Sequence, residues 1–338
     1  MSAAPRAAEW EGVRLHIVTG KGGTGKTTVA AALALALAAG GKRVLLAEVE
    51  GRQGISQALD VPPLADREVR VAHVSGGGEV WGLAVDAKAA LMEYLQLFYK
   101  LGGAGGVLER CGAIDFGTTI APGVRDVLLI GKVYEAVRRR RDPKSKDPRA
   151  ARLYDAVVLD APPTGRVVRF LGVNEEVAGL ARVGPIRSQA DSITALLRSR
   201  QVAVHVVALL EEMPVQEAVD AAAELPAAGF SRGAVVVNQV RSAELDDDEL
   251  AAARDGALDD EAIAAELAEA GVRPRPSLVN GLLEETSAYA GRLALERREA
   301  ERLETLGRTL YRLPFLPEGV DAGGVRSLAH DLAEQGLA

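Results

Sequence analysis

The feature that most constrains the fold of this chain is a short glycine-rich run between a strand pattern and a helix pattern. Gly20 to Thr27 reads GKGGTGKT and fits the pattern GxxxxGK[ST]. The apolar run Val13 to Thr19 before it is typical of a strand. The Ala/Leu-rich segment from about Lys26 to Ala39 is typical of a helix, and Gly40-Gly41 is a typical helix end. A strand–loop–helix context of this kind predicts a phosphate-binding loop.

The residue types of this run suit the binding of a polyphosphate. Glycines let the backbone N–H groups curve around the phosphates, and the N-terminus of the helix adds partial positive charge. Lys26 is expected to contact the β- and γ-phosphates, and the Thr27 hydroxyl to bind Mg²⁺. Because 36 of the 338 residues are glycine, an ordinary glycine-rich turn is the alternative. The residues expected to contact the nucleotide are Gly20, Gly22, Gly23, Thr24, Gly25, Lys26, Thr27 and Thr28.

Apolar runs of strand length recur along the chain, and helical patterns separate most of them. Several are apolar without interruption, as in a sheet that helices cover on both faces. The pattern predicts an α/β fold with a doubly wound, mostly parallel, Rossmann-like sheet, in one domain that spans residues 1–338. The predicted strands are Val13 to Thr19, Arg43 to Glu48, Val69 to Val74, Val80 to Val85, Tyr154 to Leu159, Val202 to Leu209, Ala234 to Val240 and Thr309 to Leu313.

The alternation of strands and helices breaks after Asp86. Residues 87–150 read as a helical insertion, and further helices at 172–200 are expected to adjoin it. Within the insertion, Leu91 to Leu101 is apolar around most of a helix, so this helix is either core or covered by a partner. The basic run Arg138 to Arg141 would bind an anion or an acidic partner, or lie in a solvated loop.

Composition excludes several classes of function. The formal charge of −7 provides no field that attracts nucleic acid or an anionic membrane. The single cysteine, Cys111, excludes an internal disulfide. The longest small-apolar run, Val29 to Ala39, has far fewer than the roughly 20 residues that span a bilayer. A cytoplasmic protein with no nucleic-acid partner and no stable membrane insertion is therefore expected.

Two further charged residues stand out, one at the end of a later strand and one inside the loop. Asp160 ends a predicted strand, where it either holds Mg²⁺ through water or caps the next helix. Lys21 is not required by the loop pattern and is expected to point away from phosphates bound in its own loop. It would serve a neighbouring molecule or be a solvated turn residue.

With these residues, the sequence resembles a known family. GKGGTGKTT resembles the deviant Walker A loop of dimeric P-loop ATPases such as MinD, ParA, the nitrogenase iron protein, the arsenite-pump ATPase and the Get-pathway targeting ATPase. The resemblance implies a P-loop NTPase sheet and a Lys21 that reaches the partner's ATP. Asp160, Pro163-Thr164-Gly165 and the later Arg169-Phe170-Leu171 resemble the second switch of the arsenite-pump/Get branch. Arg166 departs from the family, which usually has histidine there.

The resemblance also implies roles for residues outside the loop. Asn238 would read the adenine edge, although an asparagine at a strand end is also a turn former. Pro314 and Phe315 would line the site where the adenine base packs. Glu50 stands where this branch carries the aspartate that activates the attacking water, and its carboxylate is further out by one C–C bond, roughly 1.5 Å. Slow hydrolysis is expected unless Glu50 works normally or caps the next helix.

The function implied by the resemblance is that of a dimeric Mg-ATP-dependent ATPase of the arsenite-pump/Get branch. It would form a homodimer, or a heterodimer with a related ATPase, and its helical subdomain would respond to ATP and bind a partner or hydrophobic protein client. Cys111 alone cannot capture arsenite, and no Cys-x-x-Cys is present for a zinc clamp. A nucleotide-binding regulatory subunit with little hydrolysis of its own, paired with a catalytic subunit, is the alternative.

Overall fold

A mostly parallel sheet forms the centre of the protein. The computed structural model describes residues 7–99, 123–145, 147, 150–180 and 185–338. Within this part, one eight-stranded sheet contains β1 Leu15–Gly20, β2 Arg43–Glu48, β3 Val69–Val74, β4 Gly78–Ala84, β5 Ala156–Asp160, β6 Val202–Ala208, β7 Arg232–Val240 and β8 Leu310–Pro314. The strand order is β3-β4-β2-β5-β1-β6-β7-β8, and only the β3–β4 pair is antiparallel. The predicted α/β fold class is confirmed.

Helices cover both faces of the sheet. The described helices are α1 Lys26–Ala38, α2 Gly54–Ala58, α3 Ala87–Tyr99, α4 Val124–Arg138, α5 Thr164–Leu180, α6 Pro185–Leu197, α7 Glu212–Ala227, α8 Asp247–Asp255, α9 Asp260–Glu269, α10 Pro276–Glu304 and α11 Ala322–Glu334. Successive side chains of a strand point to opposite faces, so Leu15 and Ile17 of β1 pack in the layer with α4, α5, α6 and α7. Val18 packs in the other layer, with α1 and α11.

The helix that follows the glycine-rich loop is buried on all sides. Every residue of Val29–Ala38 is buried, and α1 lies between the sheet and α11. A helix that is apolar all round belongs in a core, and here it fixes the loop that precedes it. The predicted helix ended at Ala39, one residue beyond the observed end.

Three helices between β7 and β8 form a lobe that the strand and helix patterns did not predict. Their small apolar cluster consists of Leu250, Ala253, Ala290 and Leu293. The acidic stretch that begins this lobe caps α8, because the Asp246 side chain accepts from the Glu249 N–H and the Glu249 side chain accepts from the Asp246 N–H. Asp259 caps α9, because its side chain accepts from the Glu261 and Ala262 N–H groups.

The predicted helical insertion is described only in part. Helices α3 and α4 lie within residues 87–150, but residues 100–122 and the side chains of 94–99 are outside the described residues. The prediction for the apolar helix 91–101 lies largely outside the described side chains, and the insertion boundaries stay predictions. In the basic run, Arg139 forms ion pairs with Glu68 and Glu135 instead of lying in a solvated loop.

Candidate nucleotide-binding site

The glycine-rich loop joins β1 to α1, as the sequence predicts. Gly23 and Gly25 have φ angles of 90° and 83°, a left-handed conformation that favours glycine. A Cβ at Gly20 would overlap the carbonyl oxygen of Val207 in β6, and one at Gly25 would overlap the Asn238 side chain. The loop is therefore held closely by the strands beside it at Gly20 and Gly25, and neither of these glycines can be replaced without displacing a neighbour.

Thr27 and Asp160 meet directly at the start of α1. The Thr27 Oγ1 donates a hydrogen bond of 2.6 Å to Asp160 Oδ2. Asp160 ends β5, which pairs with β1, and this pairing brings the carboxylate to the loop. Its other oxygen, Oδ1, is buried and has no hydrogen-bond partner among the described residues. The carboxylate faces the loop and caps no described helix.

Burial has the largest effect on the pKa of the Asp160 carboxyl group. Burial raises the pKa of Asp160 most, the Thr27 hydroxyl and the Lys26 ammonium group lower it, and the nearby Glu48 and Glu50 raise it, which together gives a pKa of about 6. A cation at this position would compensate the buried negative charge. A hydroxyl and a carboxylate with an unpartnered buried oxygen are the hard oxygen ligands that Mg²⁺ prefers, so the residues present fit this ion.

Two glutamates follow β2 and have different surroundings. Glu48 is buried, and its carboxylate accepts from the backbone N–H groups of Gln53 at 3.0 Å and Ile55 at 3.2 Å. Glu48, and not Glu50, thus holds the start of α2. Sequence reasoning missed this role, although an acidic residue that ends an apolar strand is a signal for a buried, hydrogen-bonded carboxylate.

Glu50 lies between two arginines. Its Oε1 is 3.6 Å from Nη1 of Arg166, and its Oε2 is 3.7 Å from Nε of Arg52. Arg166 also reaches α4, where its Nη2 is 3.8 Å from Asp126 Oδ1. Arg166, the residue that departs from the family pattern, therefore connects the loop after β2 with the helical region.

The predicted site residues do not all line one cavity. A small pocket is lined by Lys26, Thr27, Glu48, Glu50, Arg52, Gly54 and Asp160. Lys21 lies outside it, with its Nζ 3.5 Å from Glu217 Oε1 of α7. The other oxygen of Glu217 accepts a hydrogen bond of 2.6 Å from Thr164 Oγ1. Lys21 is thus paired within its own chain, by a residue that sequence reasoning did not single out.

Asn238 and the two residues expected near the base lie on the other side of the loop. The Asn238 Nδ2 donates to the Thr24 carbonyl oxygen at 3.0 Å, so its side chain braces the loop. Pro314 and Phe315 line a separate groove of about 520 Å³ together with Arg241, whose guanidinium carbon is 5.0 Å from the Phe315 ring centroid. Contact of these residues with adenine stays a prediction.

The fold and the loop define a P-loop NTPase, and comparison with known proteins gives the family. Residues 13–197 match the family model described as anion-transporting ATPase (ArsA ATPase). The chain is 49% identical to ATPase BagA from Mycobacterium tuberculosis over 326 residues. These residues are 96% of this chain and 94% of that protein. The chain belongs to the anion-transporting ATPase family, which confirms the family predicted from the sequence.

More distant relatives cover about half of the chain. ATPase ARSA1 from Chlamydomonas reinhardtii is 26% identical over 215 residues, which are 54% of this chain and 25% of that protein. ATPase GET3 from Candida glabrata is 28% identical over 162 residues, which are 46% of this chain and 43% of that protein. The names of these two relatives agree with the arsenite-pump/Get branch that the sequence resembles.

Proposed function

We propose that this chain binds Mg-ATP at the loop before α1 and hydrolyses it. The observation that carries the proposal is the contact of Thr27 with Asp160 at the start of α1, next to Lys26, with a buried Asp160 oxygen that lacks a partner. The anion-transporting ATPase family and its relatives named ATPase support the activity.

Each residue has a distinct role in this proposal. The loop N–H groups and the N-terminus of α1 bind the phosphates, and Lys26 neutralises charge on the β- and γ-phosphates. Thr27 and Asp160 hold Mg²⁺, which when bound neutralises charge that develops on the phosphate oxygens. Glu50 orients the attacking water and accepts its proton.

The environment of Glu50 favours slow hydrolysis. Its carboxylate is one C–C bond further from the backbone than that of an aspartate, and it is paired with Arg52 and Arg166. A misplacement of about 1 Å in a catalytic group costs on the order of a hundredfold in rate. These contacts support the second candidate function, a regulatory subunit that binds nucleotide and turns it over slowly beside a related catalytic subunit.

The proposal includes a dimer and a helical region that responds to ATP. Lys21 would act on the nucleotide of the second subunit, in a homodimer or a heterodimer with a related ATPase. The helices within 87–150 and 172–200 would change position with the nucleotide and bind a partner or a hydrophobic protein client. The link from Glu50 through Arg166 to Asp126 of α4 supports this coupling. A cytoplasmic location is part of the proposal, and no described helix is both long and apolar enough for a membrane crossing.

Calorimetric titration with Mg-ATP and Mg-GTP tests the site. Wild type should bind ATP, and Lys26→Ala should weaken binding about tenfold or more, because a charge-assisted contact to the phosphates is lost. Lys42→Ala is the matched control, since Lys42 is exposed at the opposite end of β2. Equal ATP affinity of wild type and Lys26→Ala would overturn the site. Equal binding of ATP and GTP would remove only the adenine role of Asn238.

A further inference from the structure

We propose that Glu217 is a positioning residue for Lys21. Glu217 holds the Lys21 ammonium group outside the nucleotide pocket of its own chain, and it releases the lysine when the second switch rearranges. This inference rests on the proposed function, because it assigns Lys21 a task in turnover. It adds a residue from α7, an element for which neither the sequence motifs nor the family resemblance supplies a site residue.

The Glu217 carboxylate is bound through both of its oxygens. Oε1 is 3.5 Å from Lys21 Nζ, and Oε2 accepts the 2.6 Å hydrogen bond from Thr164 Oγ1. Thr164 is buried, whereas the side chains of Lys21 and Glu217 are 31% and 32% exposed. One carboxylate thus connects the glycine-rich loop with the first residue of α5.

The position of Thr164 makes this connection sensitive to the nucleotide. Thr164 follows Asp160 by four residues, so a displacement of the segment that carries the proposed Mg²⁺ ligand also displaces the hydroxyl that orients Glu217. Loss of the hydroxyl contact frees the carboxylate to rotate away from Lys21. The lysine is then available to a phosphate.

Glu217 and a phosphate compete for the Lys21 ammonium group, and this competition determines how much removal of the Glu217 charge changes turnover. While Lys21 is paired with Glu217, it is not available to a phosphate, and the competent fraction of the protein is reduced. A partly exposed ion pair biases such an equilibrium by at most about fivefold. Removal of the Glu217 charge should therefore raise turnover by about twofold to fivefold and leave the KM for ATP unchanged.

The first test needs no nucleotide. Lysine labelling of the nucleotide-free protein with an amine-reactive reagent, followed by peptide mass spectrometry, gives the rate at Lys21 relative to Lys42. In Glu217→Gln the relative rate should rise about twofold to fivefold, because the amine loses its ion-pair partner. Glu224→Gln, on an exposed position of the same helix, is the control and should match wild type. An unchanged Lys21 rate in Glu217→Gln would overturn the proposal, whether or not the chain hydrolyses ATP.

The second test separates positioning from a structural role. Steady-state kinetics should show the rise in kcat for Glu217→Gln on the wild-type background and no effect of the same change on a Lys21→Met background. An equal effect on both backgrounds would show that Glu217 acts independently of Lys21 and would overturn the proposal. If wild type binds no ATP in calorimetry, the proposed function fails. The labelling result still decides whether Glu217 holds the Lys21 ammonium group.

Discussion

Two histidines lie side by side in the buried centre of the sheet. His16 Nδ1 and His205 Nε2 are 3.1 Å apart, and the rings are stacked with centroids 5.3 Å apart. The Ala234 N–H donates to His205 Nδ1, which assigns the proton of His205 to Nε2 and makes His16 Nδ1 the acceptor. Burial lowers the pKa of His16 to about 4 and that of His205 well below its ordinary value. Both rings are therefore neutral in the folded protein.

This pair predicts a loss of stability in mild acid. The unfolded histidines take up protons near pH 6.5 and the folded ones do not, so their contribution is complete above pH 6.5 and is lost as the pH falls towards 4. The loss amounts to up to about 1.4 kcal/mol per pH unit for each histidine. Urea unfolding of wild type and His16→Gln at pH 7.5 and 5.0 measures it.

The control is His73→Gln, which changes an exposed histidine and should keep the wild-type dependence. The quantity compared is the change in the free energy of unfolding between the two pH values, in the variant relative to wild type. The raised pKa of Asp160 changes stability in the opposite direction, but it does so in both proteins and cancels in this comparison. An equal pH dependence of the free energy of unfolding in His16→Gln and wild type would contradict the prediction.

Glu50 gives a second prediction for a single residue. Glu50→Asp should raise the single-turnover rate of ATP hydrolysis by about tenfold or more, because the shorter side chain corrects a misplacement that costs on the order of a hundredfold. Glu50→Gln should lower the rate, since an amide cannot accept the proton. A fast wild type that Glu50→Asp fails to improve would end the argument for impairment. No effect of Glu50→Gln would mean that another group holds the water.

Some site residues are predictable from the sequence, and others are not. Lys26 and Thr27 follow from a contiguous motif, and Asp160 follows from its position at the end of a strand next to that motif. Glu217 and Arg166 acquire their contacts only through tertiary structure, since Glu217 is 53 residues from Thr164 along the chain. Local pattern carries no signal for such pairs.

At the scale of elements, the strands were predicted more accurately than the lobe of α8, α9 and α10. The buried strands are continuous apolar runs, and β2 and β3 have the predicted ends. The 29-residue helix α10 buries only six residues, two of them glutamates, so its helical period is weakly marked. Its stability comes from a few apolar contacts and ion pairs such as Arg241 with Glu296.

The capping box predicts how the lobe responds to a single substitution. Asp246→Ala should destabilise α8 by about 1 kcal/mol, because the Glu249 N–H loses its acceptor. Hydrogen exchange of the α8 amides should speed up about fivefold in consequence. Asp248→Ala, in the same turn, loses only a few tenths of a kcal/mol of interaction with the helix dipole and is the control. Equal exchange in both variants would rule out the cap as a source of stability.

At the scale of the whole molecule, the strand order places the loop in the middle of the sheet. β1 lies between β5 and β6, and the crevice at the carboxyl ends of parallel strands is where ligands bind in open α/β sheets. Thr27, Asp160 and Glu50 all belong to segments that leave this edge. The same edge carries Lys21, whose side chain is partly exposed.

This placement predicts that Mg-ATP drives dimer formation and that turnover depends on Lys21. Mg-ATP should convert the chain into a dimer, as measured by sedimentation equilibrium, and Lys21→Ala should lower turnover on the order of a hundredfold while ATP affinity changes little. Lys42→Ala should behave as wild type. If Lys21→Ala weakened affinity and turnover equally, the lysine would be a phosphate ligand of its own subunit.

The burial of α1 has a consequence for mutational tolerance. Ten consecutive residues, Val29–Ala38, are buried, and six of them are alanines with no room for a larger side chain. In a saturation scan that selects for folded protein, this stretch should accept fewer substitutions than any exposed helix, including changes from alanine to leucine.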